Sequence, residues 1–239
     1  MKNKSKKCLV LIFLIFATYC GLKAQDGNNK SKSGSTVTDI DGNVYHTVTI
    51  GTQVWMVENL KTTTYRNGVG ISKYYYYDYN DNKSLGEKFG KLYTWHVVND
   101  NQNIAPIGWH VPTDDEWTKL LTYIRTRSLS LILHTSHSVG KDLAGQTDWN
   151  LSTDINGIGN DLSKNNFSGF TALPGGNYHM ESNGKITFSG IGEEGNYWSS
   201  NENGKYFGSM WLISYDSSLV LKYRKSKGDN GCSVRCIKD

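Results

Sequence analysis

The stretch Gly108-Trp109-His110-Val111-Pro112-Thr113-Asp114-Asp115-Glu116-Trp117 decides the fold, because it predicts where a helix begins. Thr113 and Glu116 have the spacing of a capping box, in which each side chain accepts a hydrogen bond from the other residue's backbone N–H. Two aspartates follow in the first turn, where the helix dipole favours negative charge. One apolar stripe then recurs at helical spacing: Trp117, Leu120, Leu121 and Ile124. We therefore expect a helix over residues 114–127 that packs its stripe against a core.

The first 24 residues have the pattern of a signal peptide. Lysines at positions 2, 4, 6 and 7 precede an apolar run over residues 8–19, and about 12 residues is too short to span a bilayer. The small residue Ala24 predicts cleavage directly after it. Lipidation at Cys20 is a weaker alternative, because the bulky Tyr19 precedes it, and a retained anchor is the weakest. We predict an exported protein that is secreted, periplasmic or at the cell surface.

Removal of this segment changes the charge and the cysteine count. The full chain has 26 basic and 22 acidic residues, and the segment holds five lysines and no acid, so the mature chain has a net charge of −1. Because the excess basic charge belongs to this segment, we predict no nucleic-acid partner for the mature chain. Cys232 and Cys236 are the only cysteines left, so the mature chain must fold on its core and not on disulfides. No mature segment approaches transmembrane length.

Residues 25–35 contain almost no apolar side chain to bury and are predicted to be a flexible linker. Residues 36–239 read as one α+β domain. It opens with alternating apolar runs separated by turns at Asp41-Gly42 and Gly51-Thr52, which predict strands and a hairpin. Residues 60–103 and 145–166 are expected to form loops, the first with short strands, and a second helix is expected over 139–144. Further strands are predicted at residues 167–173, 185–188, 197–200, 207–215, 219–224 and 232–237.

Several separated motifs carry a family resemblance. They are Thr38 to Tyr45, Ile50 to Thr62, Gly90-Lys91-Leu92-Tyr93-Thr94-Trp95, Gly108 to Pro112, Gly169-Phe170-Thr171-Ala172-Leu173-Pro174-Gly175-Gly176, Tyr197-Trp198-Ser199-Ser200 and Ser233-Val234-Arg235-Cys236. In this order they resemble the Fibrobacter succinogenes major paralogous domain family. The resemblance implies an exported bacterial domain of C-type-lectin-like architecture, with few helices, short antiparallel strands and long loops, related to the formylglycine-generating-enzyme fold. It implies no common activity.

The chain departs from the family pattern at Ala105-Pro106, where the family usually has Cys-Pro. The resemblance implies that this cysteine pairs with the one matching Cys236, so the family-type disulfide cannot form here. On a continuous strand Cys232 and Cys236 would lie roughly 13 Å apart, beyond disulfide reach. We expect two free thiols, unless the strand breaks at Ser233-Val234 or the cysteines pair between chains. The capping box and packing of Trp109 on Trp117 are then expected to hold the junction.

A catalytic or metal centre is not evident from the sequence. His134 and His137 are three residues apart with no carboxylate nearby, and we expect His110 to fix a loop through its ring nitrogens. The lectin calcium loop Glu-Pro-Asn is missing, and Trp198-Ser199-Ser200 stands where Trp-Asn-Asp would supply calcium ligands. We predict no enzyme, no cofactor and no metal site.

An aromatic surface is the remaining candidate binding site. Five tyrosines lie close together, and because alternate side chains of a strand face opposite sides, not all can point inward. The opposing interpretation is that these rings cover a small second core. Exposed rings bind sugar faces and protein partners. The candidate ligand-binding residues are Tyr74, Tyr75, Tyr76, Tyr77, Tyr79, Trp198, Asn201 and Glu202.

The sequence thus favours an exported, non-catalytic binding module of the cell envelope or secretome, with a glycan or an envelope protein as its ligand. The first alternative is a formylglycine-generating-like enzyme with an unrecognised metal centre. The second is a structural or adhesive surface protein.

Overall fold

The computed structural model describes residues 34–130 and 138–239, and for residues 128–130 it describes the backbone alone. Within these residues the helices are α1 (Lys83–Phe89), α2 (Trp95–Val98), α3 (Asp114–Ser130) and α4 (Val139–Leu143). The strands are β1 (Thr36–Thr38), β2 (Val44–Ile50), β3 (Gln53–Met56), β4 (Tyr76–Tyr77), β5 (Leu92–Thr94), β6 (Trp109–His110), β7 (Gly175–Met180), β8 (Ile186–Ile191), β9 (Glu194–Glu202), β10 (Phe207–Ser214), β11 (Val220–Ser226), β12 (Asn230–Cys232) and β13 (Ile237–Lys238).

The strands form two sheets. The first has the order β1-β2-β3-β13-β6, and the second has the order β11-β10-β9-β7-β12-β5-β4, with β8 paired to β7. The named strand pairs are antiparallel, except the short parallel contact between β7 and β9. Few helices and mainly antiparallel sheets confirm the predicted α+β class.

The opening hairpin is confirmed, but its turn is longer than an Asp-Gly pair. β1 and β2 pair up to Thr38 and Val44, which leaves a five-residue loop. The buried Asp39 carboxylate organises this loop by accepting hydrogen bonds from the N–H groups of Asp41 (3.0 Å) and Asn43 (2.9 Å). It also accepts the Tyr45 hydroxyl at 2.6 Å.

The predicted capping box is present at the start of α3. The Thr113 N–H donates to Glu116 Oε2 at 2.8 Å, and the Glu116 N–H donates to Thr113 Oγ1 at 3.2 Å. The helix begins at Asp114 as expected and runs three residues past the predicted end. Its stripe is buried, and Trp117 packs on Trp55 at a ring-centroid distance of 5.2 Å.

The junction before this helix is held differently from our expectation. Trp109 and Trp117 lie in different core clusters, so they do not pack together as predicted. Instead, the Arg66 guanidinium donates to the carbonyls of Ala105 (2.9 Å), Pro106 (2.7 Å) and Trp109 (2.5 Å). One side chain therefore fixes the loop that a disulfide is expected to hold in relatives.

Arg235 joins four of the family motifs in the interior. It is fully buried, and its Nη2 donates to Asn59 Oδ1 at 2.6 Å. The same guanidinium donates to the carbonyls of Phe170 and Thr171 and lies 5.5 Å from the Tyr197 ring centroid. Burial lowers the pKa of Arg235, and the nearby Tyr197 and Glu58 side chains oppose this shift. The hydrogen bonds and rings also stabilise the cation. We call this set the Arg235 hub.

Several predicted elements were wrong. Residues 167–173 form a loop, because Gly169 and Thr171 have positive φ and the Asn166 side chain closes the loop on the Thr171 N–H at 2.8 Å. The extended strand expected over 232–237 breaks after Cys232. β7 begins at Gly175, directly after the loop. The helices α1 and α2 occupy a region predicted to hold only loops and short strands. The α4 helix and the long loop after it are confirmed.

The predicted signal peptide and most of the predicted linker lie outside the described residues, as do His134 and His137. Ser35 already belongs to the folded domain, since its carbonyl accepts the Thr47 N–H at 2.9 Å. Among the described residues, no helix combines the length and apolar composition needed to cross a lipid bilayer.

Candidate functional site

The tyrosines 74–77, which we call the tyrosine ridge, stand between two surface clefts. Lys73–Tyr75 forms one 3-10 turn, and its entry residue Ser72 accepts the Tyr74 N–H. The next two residues form β4, which pairs with β5 through Tyr76 opposite Tyr93 and Tyr77 opposite Leu92. The ridge is therefore tied to the second sheet by backbone hydrogen bonds.

Side chains of this segment divide between surface and interior. Tyr74 is 78% exposed and Tyr75 is 43% exposed, whereas Tyr79 is only 6% exposed. Tyr77 packs edge-on against the buried Tyr178 at 4.9 Å, and Tyr79 packs on Phe188 at 5.2 Å. Two tyrosines thus cover a small core, as the opposing interpretation expected, and two remain at the surface.

One cleft beside the ridge, which we call the His96 cleft, combines aromatic and polar groups. Its volume is about 440 Å³. It is lined by Tyr65, Tyr75, His96, Val97, Asn99, Asp100 and Asn101. Most of these residues come from α2 and the turn after it, so the cleft lies where a short helix ends beside the exposed Tyr75.

Polar groups of the His96 cleft are partly engaged and partly free. Burial and the neighbouring Asp100 carboxylate raise the pKa of Tyr65 to about 12, so its hydroxyl stays protonated. Asp100 also accepts the Gln102 N–H at 2.8 Å. Within the described part of the chain, the side chains of His96, Asn99 and Asn101 form no hydrogen bond to protein. These three side chains are available to a ligand.

The other cleft, which we call the lysine cleft, lies against Tyr76 and Tyr77. Its volume is about 370 Å³. Lys91 spans it, with Nζ 2.9 Å from Asp78 Oδ1 and 5.3 Å from the Tyr76 ring centroid. Among the described residues, Lys91 and Asp78 are the only charged pair within this cleft, and Glu87 pairs with Lys61 outside it at 3.5 Å. The cleft therefore presents charges of both signs to a ligand. Its lining is Lys73, Tyr76, Tyr77, Asp78, Asp81, Lys83, Glu87 and Lys91.

Comparison with family models matches the Fibrobacter succinogenes major domain over residues 48–238. The chain belongs to this family. The match covers both clefts and the Arg235 hub. Comparisons with curated proteins and with solved structures each give no match, and the C-type-lectin-like architecture stays a prediction.

The remaining candidate residues of this Fibrobacter succinogenes major domain are engaged elsewhere. Trp198 is fully buried, and its Nε1 donates to the Tyr93 carbonyl at 2.7 Å. Asn201 accepts the Asp114 N–H at 2.7 Å, at the first residue of α3. Glu202 pairs with Lys227 at 2.9 Å. None of the three lines the His96 cleft or the lysine cleft.

The sequence did not single out Tyr65, His96 or Asp100 in this family member. All three lie within the predicted loop region 60–103, and only folding brings Tyr65 beside the turn after α2. A usable signal was present in Asn99-Asp100-Asn101, because a run of short amide and carboxylate side chains after an aromatic segment is typical of a polar turn.

The two cysteines of the domain are free thiols, as expected, and both are buried. Burial raises the pKa of Cys232 to about 11, and burial also raises the pKa of Cys236. Both thiols therefore stay protonated at neutral pH, which disfavours their reaction as nucleophiles.

His110 fixes a loop, as the sequence suggested. Its Nδ1 lies 2.6 Å from Asp239 Oδ1, and its Nε2 lies 2.8 Å from Glu116 Oε1. Within residues 34–130 and 138–239, no three histidine, cysteine or carboxylate side chains form a group that could hold a metal ion.

Proposed function

We propose that this protein is an exported, non-catalytic binding module of the bacterial cell envelope or secretome that binds glycans at the His96 cleft. One observation carries the proposal: the exposed Tyr75 ring borders a cleft in which the side chains of His96, Asn99 and Asn101 form no hydrogen bond to the described part of the protein. Sugars present apolar ring faces and rows of hydroxyls, and this cleft offers a partner for each.

Tyr75 supplies the apolar contact. An aromatic ring offers a large contact area at a low cost in side-chain entropy. Tyr75 ends a 3-10 turn and is followed directly by β4, so its backbone is held on both sides. A ring on a fixed backbone loses less freedom on binding than a ring in a mobile loop.

Hydrogen bonds would come from α2 and the turn after it. The amides of Asn99 and Asn101 each provide donors and an acceptor, and the His96 imidazole provides one of each when neutral. Asp100 adds a carboxylate acceptor already oriented by the Gln102 N–H. A mixed set of this kind matches vicinal hydroxyl groups, which both donate and accept.

Export is supported by the signal-peptide pattern of residues 1–24, and the same pattern favours a ligand outside the cytoplasm. The family match is compatible with this compartment but names no ligand.

The test is a glycan array probed with the mature chain, residues 25–239, with and without calcium. A hit is then titrated against Tyr75→Ala and against Tyr206→Ala, an exposed tyrosine outside both clefts. We expect calcium-independent binding that Tyr75→Ala weakens at least tenfold and that Tyr206→Ala changes less than twofold.

Two results would contradict the proposal. One is the absence of glycan binding together with copper or iron in the purified protein, which would favour the enzyme alternative. The other is glycan binding that survives Tyr75→Ala and Asn101→Ala in variants with unchanged melting temperatures.

A further inference from the structure

β11 is an edge strand with a regular free side. Seven consecutive register pairs join it to β10, from Phe207 opposite Ser226 to Ile213 opposite Val220, without a bulge. On its other side it pairs with no strand of the described chain. A straight edge of this length presents a row of backbone donors and acceptors to which another extended segment can add.

The hydrogen-bond pattern between β10 and β11 shows which backbone groups of β11 point away from the sheet. The Lys227 N–H donates to the Tyr206 carbonyl at 3.0 Å, which continues the β10–β11 ladder. Because inward and outward groups alternate along an antiparallel strand, the residues two, four and six positions before Lys227 also face β10. The N–H and C=O groups of Lys222 and Arg224 therefore point away from the sheet.

Side chains of β11 alternate in chemistry as well as direction. Lys222 and Arg224 lie on one face, and Leu221 and Tyr223 lie on the other. Leu221 is 37% exposed and Tyr223 is 49% exposed. The strand carries three cations and no acid, counting Lys225. It therefore combines one basic face and one face on which Leu221 and Tyr223 precede Lys225.

The cations are held in place but only partly neutralised. Lys222 pairs with Asp114 at 2.6 Å, and Lys225 donates to the neutral Asn177 amide at 2.8 Å. Arg224 lies over the Phe207 ring at 4.9 Å and forms no ion pair with a residue in the described ranges. The edge keeps excess positive charge on a chain whose mature net charge is near zero.

We infer that the β11 edge binds an extended acidic segment of a partner protein by strand addition. The added strand would place carboxylates against Lys222 and Arg224 and apolar side chains against Leu221 and Tyr223. Like charges opposite one another are unfavourable, so a second copy of this strand is a poor partner. The backbone row favours a peptide over an anionic polysaccharide, which has no matching ladder.

The test uses a fluorescent, blocked heptapeptide of alternating glutamate and valine, titrated into residues 25–239 by anisotropy. We expect saturable binding that Arg224→Glu weakens at least tenfold. Lys119→Glu makes the same charge change on the exposed side of α3 and should alter affinity less than twofold. Tyr75→Ala should not change the peptide affinity. The peptide proposal and the glycan proposal can therefore be contradicted independently of each other.

A second pair of measurements separates strand addition from simple charge attraction. The same peptide with alternate N–H groups methylated should bind at least tenfold more weakly, and hydrogen exchange at the Lys222 and Arg224 amides should slow at least fivefold in the complex. Equal affinity of the methylated peptide, unchanged exchange, no peptide binding at millimolar concentration, or binding of oligogalacturonate in its place would each overturn the inference.

Discussion

The Arg235 hub and the tyrosine ridge are both built from aromatic rings and polar side chains, but they use their polar groups in opposite ways. The Arg235 guanidinium donates to the buried Asn59 and Phe170 and to the half-buried Thr171. On the ridge side, His96 and its asparagine neighbours leave their side chains without protein partners in the described residues. A saturated network stabilises a fold, whereas free groups beside a fixed ring are available for recognition.

The largest predicted effect is the loss of stability when the central residue of the Arg235 hub is replaced. Arg235→Met retains much of the side-chain volume but removes the donor from the buried Asn59 Oδ1, the buried Phe170 carbonyl and the partly buried Thr171 carbonyl. We expect the free energy of unfolding to fall by about 3 to 5 kcal/mol, since each unsatisfied buried group costs about 1 to 3 kcal/mol. Urea unfolding followed by tryptophan fluorescence measures this change.

Arg224→Met is the matched control, because it makes the same substitution at an exposed position of β11. It should change stability by less than about 0.5 kcal/mol. Equal effects of the two substitutions would contradict the structural role of the hub.

A second test adds a disulfide crosslink to the buried core around Cys236. Ala105 and Cys236 are buried in the same core cluster, and the family resemblance implies a disulfide between these positions. In an Ala105→Cys, Cys232→Ser variant, we expect oxidation to consume both thiols and to add about 2 to 4 kcal/mol of stability. Thiol titration and melting with and without reductant measure this, and Ala105→Ser serves as control. Two unreacted thiols after oxidation would contradict it.

A third test acts on the support beneath the ridge. An added Cβ at Gly231 would lie 1.8 Å from Tyr178 Cε1, and Tyr178 packs against Tyr77. We expect Gly231→Ala to cost about 1 to 3 kcal/mol through overpacking and to weaken ligand binding at Tyr75. Gly70→Ala, where an added Cβ meets open space, should leave both unchanged. Full stability of Gly231→Ala would show that the ring moves freely.

The parts of the fold that the sequence predicted are those set by local chemistry. The capping box of α3, the opening hairpin and α4 each depend on residues a few positions apart, and all are present. The loop at 167–173 was predicted as a strand, but Phe170 and Ala172 reach the core from irregular backbone. Their conformation depends on Asn166 and on the carbonyl contacts of Arg235, which lies more than 60 positions away.

The candidate site shows the same division. Exposed tyrosines on the ridge follow from a run of rings too long for one buried face. The other residues of the His96 cleft cannot be predicted from the sequence in this way, because Tyr65 and Asp100 come together only in the folded chain. Trp198 shows the converse: its flanking polar residues suggested a surface, but its ring lies in the core.

The smallest predicted effect is a pH dependence at the junction before α3. Burial would lower the pKa of His110, but its hydrogen bonds to Asp239 and Glu116 outweigh burial and raise the pKa above the ordinary 6.5. Burial would raise the pKa of Glu116, but hydrogen bonds from Thr113 and His110 lower it below the ordinary 4.5. Both shifts therefore favour the charged pair in the folded protein.

The directions of the two pKa shifts determine the pH range in which the pair stabilises the fold. The His110 contribution is fully present below pH 6.5 and is lost as pH rises through its raised folded pKa. The Glu116 contribution is present above pH 4.5 and is lost as pH falls through its lowered folded pKa. The pair thus stabilises the fold most between these two values, by about 1 kcal/mol or less because both side chains are partly exposed.

Urea midpoints at pH 5.5 and pH 8.5 for the wild type and His110→Gln measure this contribution. The wild type should lose stability between these two pH values relative to the variant. His46→Gln removes a more exposed His–Glu pair, with the His46 side chain 59% exposed, and is the matched control substitution. If His110→Gln keeps the full wild-type pH dependence, the junction depends on the capping box and Arg66 and not on this charge pair.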